Sequence, residues 1–163
     1  MTTQRFIFRT LMPVMVAMAM LAVNCPTAAA ASLAVKLQGT YQVTSAKLIQ
    51  NGQPHTGNFT ITGSVKIGTP GLGGSTIIPA IVKDTGLVLK LTAIKATATS
   101  YSASCTGTNP NSGPGAIRQI QAGSSVKATL TTAGLTVTFA LKGVTSGSVK
   151  TTDTLTLVLK KKA

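Results

Sequence analysis

The chain is 163 residues long and carries 15 basic residues against 2 acidic ones, a formal net charge of +13. Two carboxylates, one histidine and two cysteines leave little for acid–base, metal or thiol catalysis. An aromatic content of 4% without tryptophan leaves few platforms on which nucleic-acid bases stack.

The N-terminus reads as an export signal. Arg5 and Arg9 form a positive start, Leu11 to Val23 is an apolar run of 13 residues, and Thr27 to Ser32 is a stretch of small residues. A retained spanning helix needs about 20 apolar residues, and Asn24 and Pro26 end this run too soon. Cys25 is a poor lipid acceptor, because Asn24 stands where a small residue is wanted. Cleavage is expected after Ala30 or Ala31, giving a signal peptide over 1–31 and one β domain over 32–163. Losing Arg5, Arg9 and Cys25 leaves 13 basic residues against Asp84 and Asp153, a net charge of +11. All the remaining cations except Arg118 are lysines. Cys105 then has no intrachain partner and is expected as a buried small hydrophobe.

The mature part reads as strands, with period 2 dominant and no sustained helical period. From Leu37 to Gln50 the apolar positions begin with Leu37, Tyr41 and Val43, then shift phase to Ala46 and Leu48, which predicts a bulge or two short strands. Phe59 to Ile67 alternates cleanly, with Phe59, Ile61, Val65 and Ile67 on one face and Thr60, Thr62, Ser64 and Lys66 on the other. The run Ile77 to Val82, interrupted by Pro79, predicts an edge or bulged strand over Thr76–Lys83, since proline has no N–H for a ladder. Leu87 to Thr99 is expected as a strand with Lys90 facing out. Val126/Ala128/Leu130, Leu135/Val137/Phe139/Leu141 and Leu155/Leu157/Leu159 are three further apolar rows, with Lys127, Lys142, Lys160 and threonines opposite. One packed and one wetted face is the habit of antiparallel sheets.

Turn residues punctuate these runs. Asp84-Thr85-Gly86 and Thr132-Ala133-Gly134 predict tight hairpins. Asn51 to Gly57, Gly68 to Ser75 and Gly143 to Asp153 predict longer connections. Ser100 to Ser125 predicts a long segment with binding-loop character, in which Ala116 to Ala122 is able to form a short strand or a helical turn.

Chemistry is sparse along this frame. Asp84 and Asp153 each lie beside an expected turn, which does not make a catalytic carboxylate pair. The context Ser104-Cys105-Thr106 lacks the histidine, glycine and arginine that surround the nucleophile of L,D-transpeptidases, and His55 is expected as a turn residue after Pro54. The glycine-rich Gly68–Gly74 is not followed by the Gly-Lys-Ser/Thr of a phosphate loop. No enzyme, cofactor or metal is expected.

The fold expected is all-β, an antiparallel sandwich of seven to eight strands, with a small eight-stranded barrel as the alternative. Leu37-Gln38-Gly39-Thr40-Tyr41-Gln42-Val43 resembles the first strand of lipocalin-like barrels, with Tyr41 in place of the usual tryptophan. That resemblance implies a barrel with an apolar cavity and a small-molecule carrier. The charge points instead to an exported, non-catalytic protein, at the bacterial envelope or outside the cell, that binds an anionic partner or copies of itself. The field of such a surface reaches about one Debye length, about 8 Å at physiological salt. Polysaccharide, envelope phosphate and nucleic acid are the candidate polyanions. Lys66, Lys90, Arg118, Lys127, Lys142, Lys160, Lys161 and Lys162 are the expected contacts.

Overall fold

The computed structural model describes residues 37–55, 61, 63–67, 77–110, 113 and 115–163. The expected signal peptide lies outside these residues, as do Phe59, Thr60 and Thr62.

Among the described residues, eight strands and one helix follow in chain order: β1 Gly39–Gln50, β2 Gln53–Pro54, β3 Ser64–Ile67, α1 Ile77–Thr85, β4 Val88–Ala96, β5 Ser100–Thr108, β6 Ile117–Thr131, β7 Gly134–Thr145 and β8 Lys150–Lys161. All pairings are antiparallel, and they form one sheet in the order β2-β1-β8-β7-β6-β5-β4, with β3 also on β1. From β4 to β8 the strands are an up-and-down meander, and β8 then returns to pair with β1. The fold is all-β, as expected. The barrel alternative fails, because the sheet is not closed. Helix α1 packs on β3 and leads directly into β4, so a helix rather than a hydrogen-bond ladder joins the two ends of the sheet.

The inward rows meet in a single core. One row crosses six strands as Ala46, Leu157, Val137, Ala128, Tyr101 and Ala96. The flanking alanines leave room for the Tyr101 ring, which is buried. The next row, Leu48, Leu155, Phe139, Val126 and Ala103, is centred on the buried Phe139. Burying a large apolar side chain contributes about 1.5–3 kcal/mol, so these rows hold the sheet in its curl.

The phase change in β1 is a bulge between Val43 and Ser45 in its pairing with β8. The expected strand at Thr76–Lys83 is instead the helix α1. Ile77, Ile78 and Ile81 are fully buried at helical spacing, and Pro79 stands in the first turn, where N–H groups have no intrahelical partner. The Asp84-Thr85-Gly86 hairpin is likewise the end of that helix. The Thr85 hydroxyl bonds the Val82 carbonyl at 2.9 Å, and Gly86 at φ 74° caps the last turn.

The expected long segment at Ser100–Ser125 is mostly sheet, divided between β5 and β6. Its start was hidden because the β4–β5 turn contains no glycine or proline. Thr97 makes that turn: its hydroxyl meets the Ser100 hydroxyl at 2.7 Å and accepts the Ser100 N–H at 3.0 Å. The Thr132–Gly134 turn is present as expected, with Thr131 opposite Gly134. Asn51-Gly52 is a tight turn between β1 and β2, with φ 47° and 80° at the two residues.

Candidate anion-binding surface

The residues between the core positions of each strand form the outer face. Strand register aligns Lys47, Thr156, Thr138, Lys127, Ser102 and Lys95 as one row across six strands. The three lysines are exposed, and the hydroxyls of Thr138 and Thr156 lie 3.4 Å apart between them. Neighbouring strands are about 4.8 Å apart, so Lys127 stands about 14 Å from Lys47 and about 10 Å from Lys95 along the sheet. Four residues along the strands, about 13 Å, a second row places Lys142 opposite Thr152 and Lys90 opposite Thr106. Small or hydroxylated residues lie between the rows, among them Thr154, Ala140, Ser125 and Ser104. The chain's two carboxylate side chains are elsewhere, Asp84 on α1 and Asp153 in the inward row of β8. The outer face is therefore cationic and carries hydroxyls, with no acid side chain to neutralise it.

Of the expected contacts, Lys90, Lys127 and Lys142 share this face. Lys47, Lys95 and Lys150 are additional cations. Lys47 was legible from its place between Ala46 and Leu48, both half-buried; Lys95 was masked by an irregularity at Thr92–Lys95, where Ala93 has φ 50°. The remaining expected contacts are exposed but lie outside the two rows. Lys66 is on β3, and Arg118 sits at an irregularity at the start of β6. Lys160, Lys161 and Lys162 cluster at the far end of β8, where Lys160 pairs with Gln42 and Lys161 with Tyr41.

The most unusual feature of the outer face is a bulge in β6. Between Ile120 and Ser125 that strand has four residues where β7, between Gly143 and Ala140, has two. Gly123 at φ 89° makes the excursion possible, and the Lys142 stem packs over its α-carbon. Ser124 locks the bulge from beneath. It is almost fully buried; its oxygen accepts the Lys142 N–H at 2.8 Å, and its hydroxyl lies 2.8 Å from the Gln121 carbonyl and 3.1 Å from that of Lys142. Between this bulge and the β7–β8 hairpin lies an open groove of about 290 Å³, lined among others by Asn51, Gln121, Lys142, Lys150 and Thr152.

Below the groove, the inward row of β8 ends in polar residues. Asp153 is buried, and burial pushes its carboxyl above the ordinary value; the Ile117 N–H, the Thr151 hydroxyl, the Gln50 amide and nearby His55 act in the opposite direction. Gln50 also donates to the Gly115 carbonyl at 2.6 Å, tying this end of the sheet to the β5–β6 connection. Asp153 follows the parity of Leu155, Leu157 and Leu159, so its inward position was legible; its expected role beside a turn is corrected to a buried carboxyl within β8. Cys105 is buried in β5 opposite Leu91 and Ser124, and burial pushes its thiol up, away from the nucleophilic thiolate. Among the described residues no three His, Cys, Asp or Glu side chains form a metal-binding group, and no helix is long and apolar enough to cross a membrane.

No family model, no curated protein and no solved structure matches this chain.

Proposed function

We propose that this chain is an exported, non-catalytic protein, resident in the envelope or outside the cell, whose outer sheet face holds an acidic polysaccharide. The observation that carries this reading is the row Lys47–Lys127–Lys95, with Lys142 and Lys90 about four residues along the strands on either side of the β6 bulge, on a face without an acidic side chain. Lysines fixed on strands two and three places apart present charge at intervals of about 10 and 14 Å, which suits a linear polyanion. The hydroxyls between them suit sugar oxygens. Polysaccharide is favoured over nucleic acid because the described aromatics Tyr41, Tyr101 and Phe139 are buried and offer bases nothing to stack on. Self-association through the β4 edge is disfavoured by Lys90, Lys95 and the irregularity at Thr92–Lys95, devices that blunt edge pairing. A lipocalin-like carrier would need an apolar cavity, whereas the inward rows meet in one contiguous cluster.

The test is binding to an acidic polysaccharide and to its neutral counterpart over a range of salt concentrations. The reading expects affinity for the acidic polymer alone, with log K falling linearly in log salt as counterions are released. Equal affinity for the neutral polymer, or affinity indifferent to salt, would overturn it.

A further inference from the structure

We infer that the groove between the β6 bulge and the β7–β8 hairpin is a subsite for one anionic sugar unit, a carboxylated or sulfated monosaccharide. This rests on the polysaccharide reading only for the origin of the unit.

The groove is built rather than incidental. A bulge that adds two residues to a strand forfeits ladder hydrogen bonds, yet here the buried Ser124 satisfies the backbone on both sides of it. Gly123 supplies the left-handed backbone, and the Lys142 side chain lies over it. Gly143, opposite the bulge, has no room for a side chain: a Cβ there would collide with the Gln119 carbonyl and the Ile117 side chain. The close approach of β6 and β7 at this point therefore depends on glycine.

The lining is biased toward donors. Lys142 and Lys150 contribute two ammonium groups. The Asn51 side-chain oxygen is already occupied, accepting the Thr151 hydroxyl at 2.8 Å and the Thr152 N–H at 2.9 Å. Its amide NH₂ is thereby left as the group to offer a ligand. Gln121 and Thr152 add an amide and a hydroxyl. Two cations with neutral donors and no carboxylate in the lining match a ligand bearing one anionic group and several hydroxyls. The volume of about 290 Å³ is at the bottom of the range of small-molecule sites, which fits one sugar ring rather than an oligomer. The groove opens onto the face that carries Lys142 and Thr152, so a chain lying over the rows can place one unit in it.

The test is an amide NMR titration of the intact chain with glucuronate, glucose 6-sulfate, glucose and sodium sulfate at fixed ionic strength. The expected result is that the two charged sugars shift the amides of Gln121, Ala122, Lys142 and Thr152, and glucose does not. A larger response to one charged sugar identifies the anionic group. K142Q and K150Q, checked for folding by thermal melting, should each weaken binding about tenfold, the loss typical of one hydrogen bond to a charged group. K47Q/K95Q/K127Q should leave monosaccharide binding intact. Shifts spread evenly over all lysines, bare sulfate binding as tightly as the sugars, or insensitivity to both groove variants would overturn the inference. Monosaccharide binding at the groove without polymer binding would sustain the subsite and remove the polysaccharide reading; polymer binding without it would do the reverse.

Discussion

The two faces of the same strands obey opposite rules. Inward, side chains are selected for fit, and the one carboxyl among them, Asp153, is held among hydrogen-bond donors at the end of the core. Outward, the face carries lysines and hydroxyls whose neighbours hardly constrain them. The difference teaches where this molecule tolerates change: inward substitutions should alter stability, and outward ones should alter only what the surface attracts.

The largest expected effect is at Phe139, at the centre of an inward row. Phe139→Ala should cost about 3–5 kcal/mol through lost burial and the cavity left behind, read as a lower urea midpoint. Ser124→Ala comes next, because it strips partners from buried backbone at the bulge. A loss of about 1–3 kcal/mol is expected, together with faster hydrogen exchange at the Lys142 amide, its direct partner. A Ser124→Ala chain as stable as the parent would mean that the bulge is held by something else.

Asp153 makes the contrast depend on pH. Its carboxyl is raised by burial above the ordinary value of 3.8. A carboxyl with a raised folded-state pKa binds its proton more tightly in the folded than in the unfolded chain. Its stabilising contribution is therefore complete below the unfolded pKa and is lost as pH rises through the folded one. Asp153→Asn removes that titration, so the stability of the variant relative to the parent should increase between pH 3.5 and pH 7. Urea midpoints at the two pH values measure this; a relative decrease would show that the donors around Asp153 outweigh its burial.

The smallest effect on stability belongs to the outer face. Lys47→Gln, Lys95→Gln and Lys127→Gln together should leave the urea midpoint almost unchanged, each within about 0.5 kcal/mol, as surface substitutions usually are.

Legibility in the sequence divides along the same line. The inward rows of β6, β7 and β8 were plain, because strict alternation has one physical meaning when one face is buried. The one-residue shift of apolar phase in β1 left a bulge and two short strands open, and the pairing with β8 decides for the bulge. Helix α1 was not plain, because Ile77 to Val82 is too short and too uniformly apolar for period to separate helix from strand, and Pro79 suits a first helical turn as well as a strand edge. The β4–β5 turn escaped because threonine hydroxyls replace glycine and proline there. At the surface, alternation showed that Lys90, Lys127 and Lys142 point outward but not which strands lie side by side. That depends on register, so the alignment of Lys47 with Lys127 and Lys95 emerges only from the pairing. The groove depends on a two-residue excess of β6 over β7, which neither strand reveals alone.

The central claim is that the position of the lysines, and not merely their number, holds the polymer. It is tested most directly by comparing two variants of equal charge loss, K47Q/K95Q/K127Q in the row and K160Q/K161Q/K162Q at the end of β8, in binding to one acidic polysaccharide over a range of salt. The row variant should bind more weakly and lose about two to three from the slope of log K against log salt, while the terminal variant stays close to the parent. Equal losses in the two variants, or the greater loss at the terminus, would contradict it.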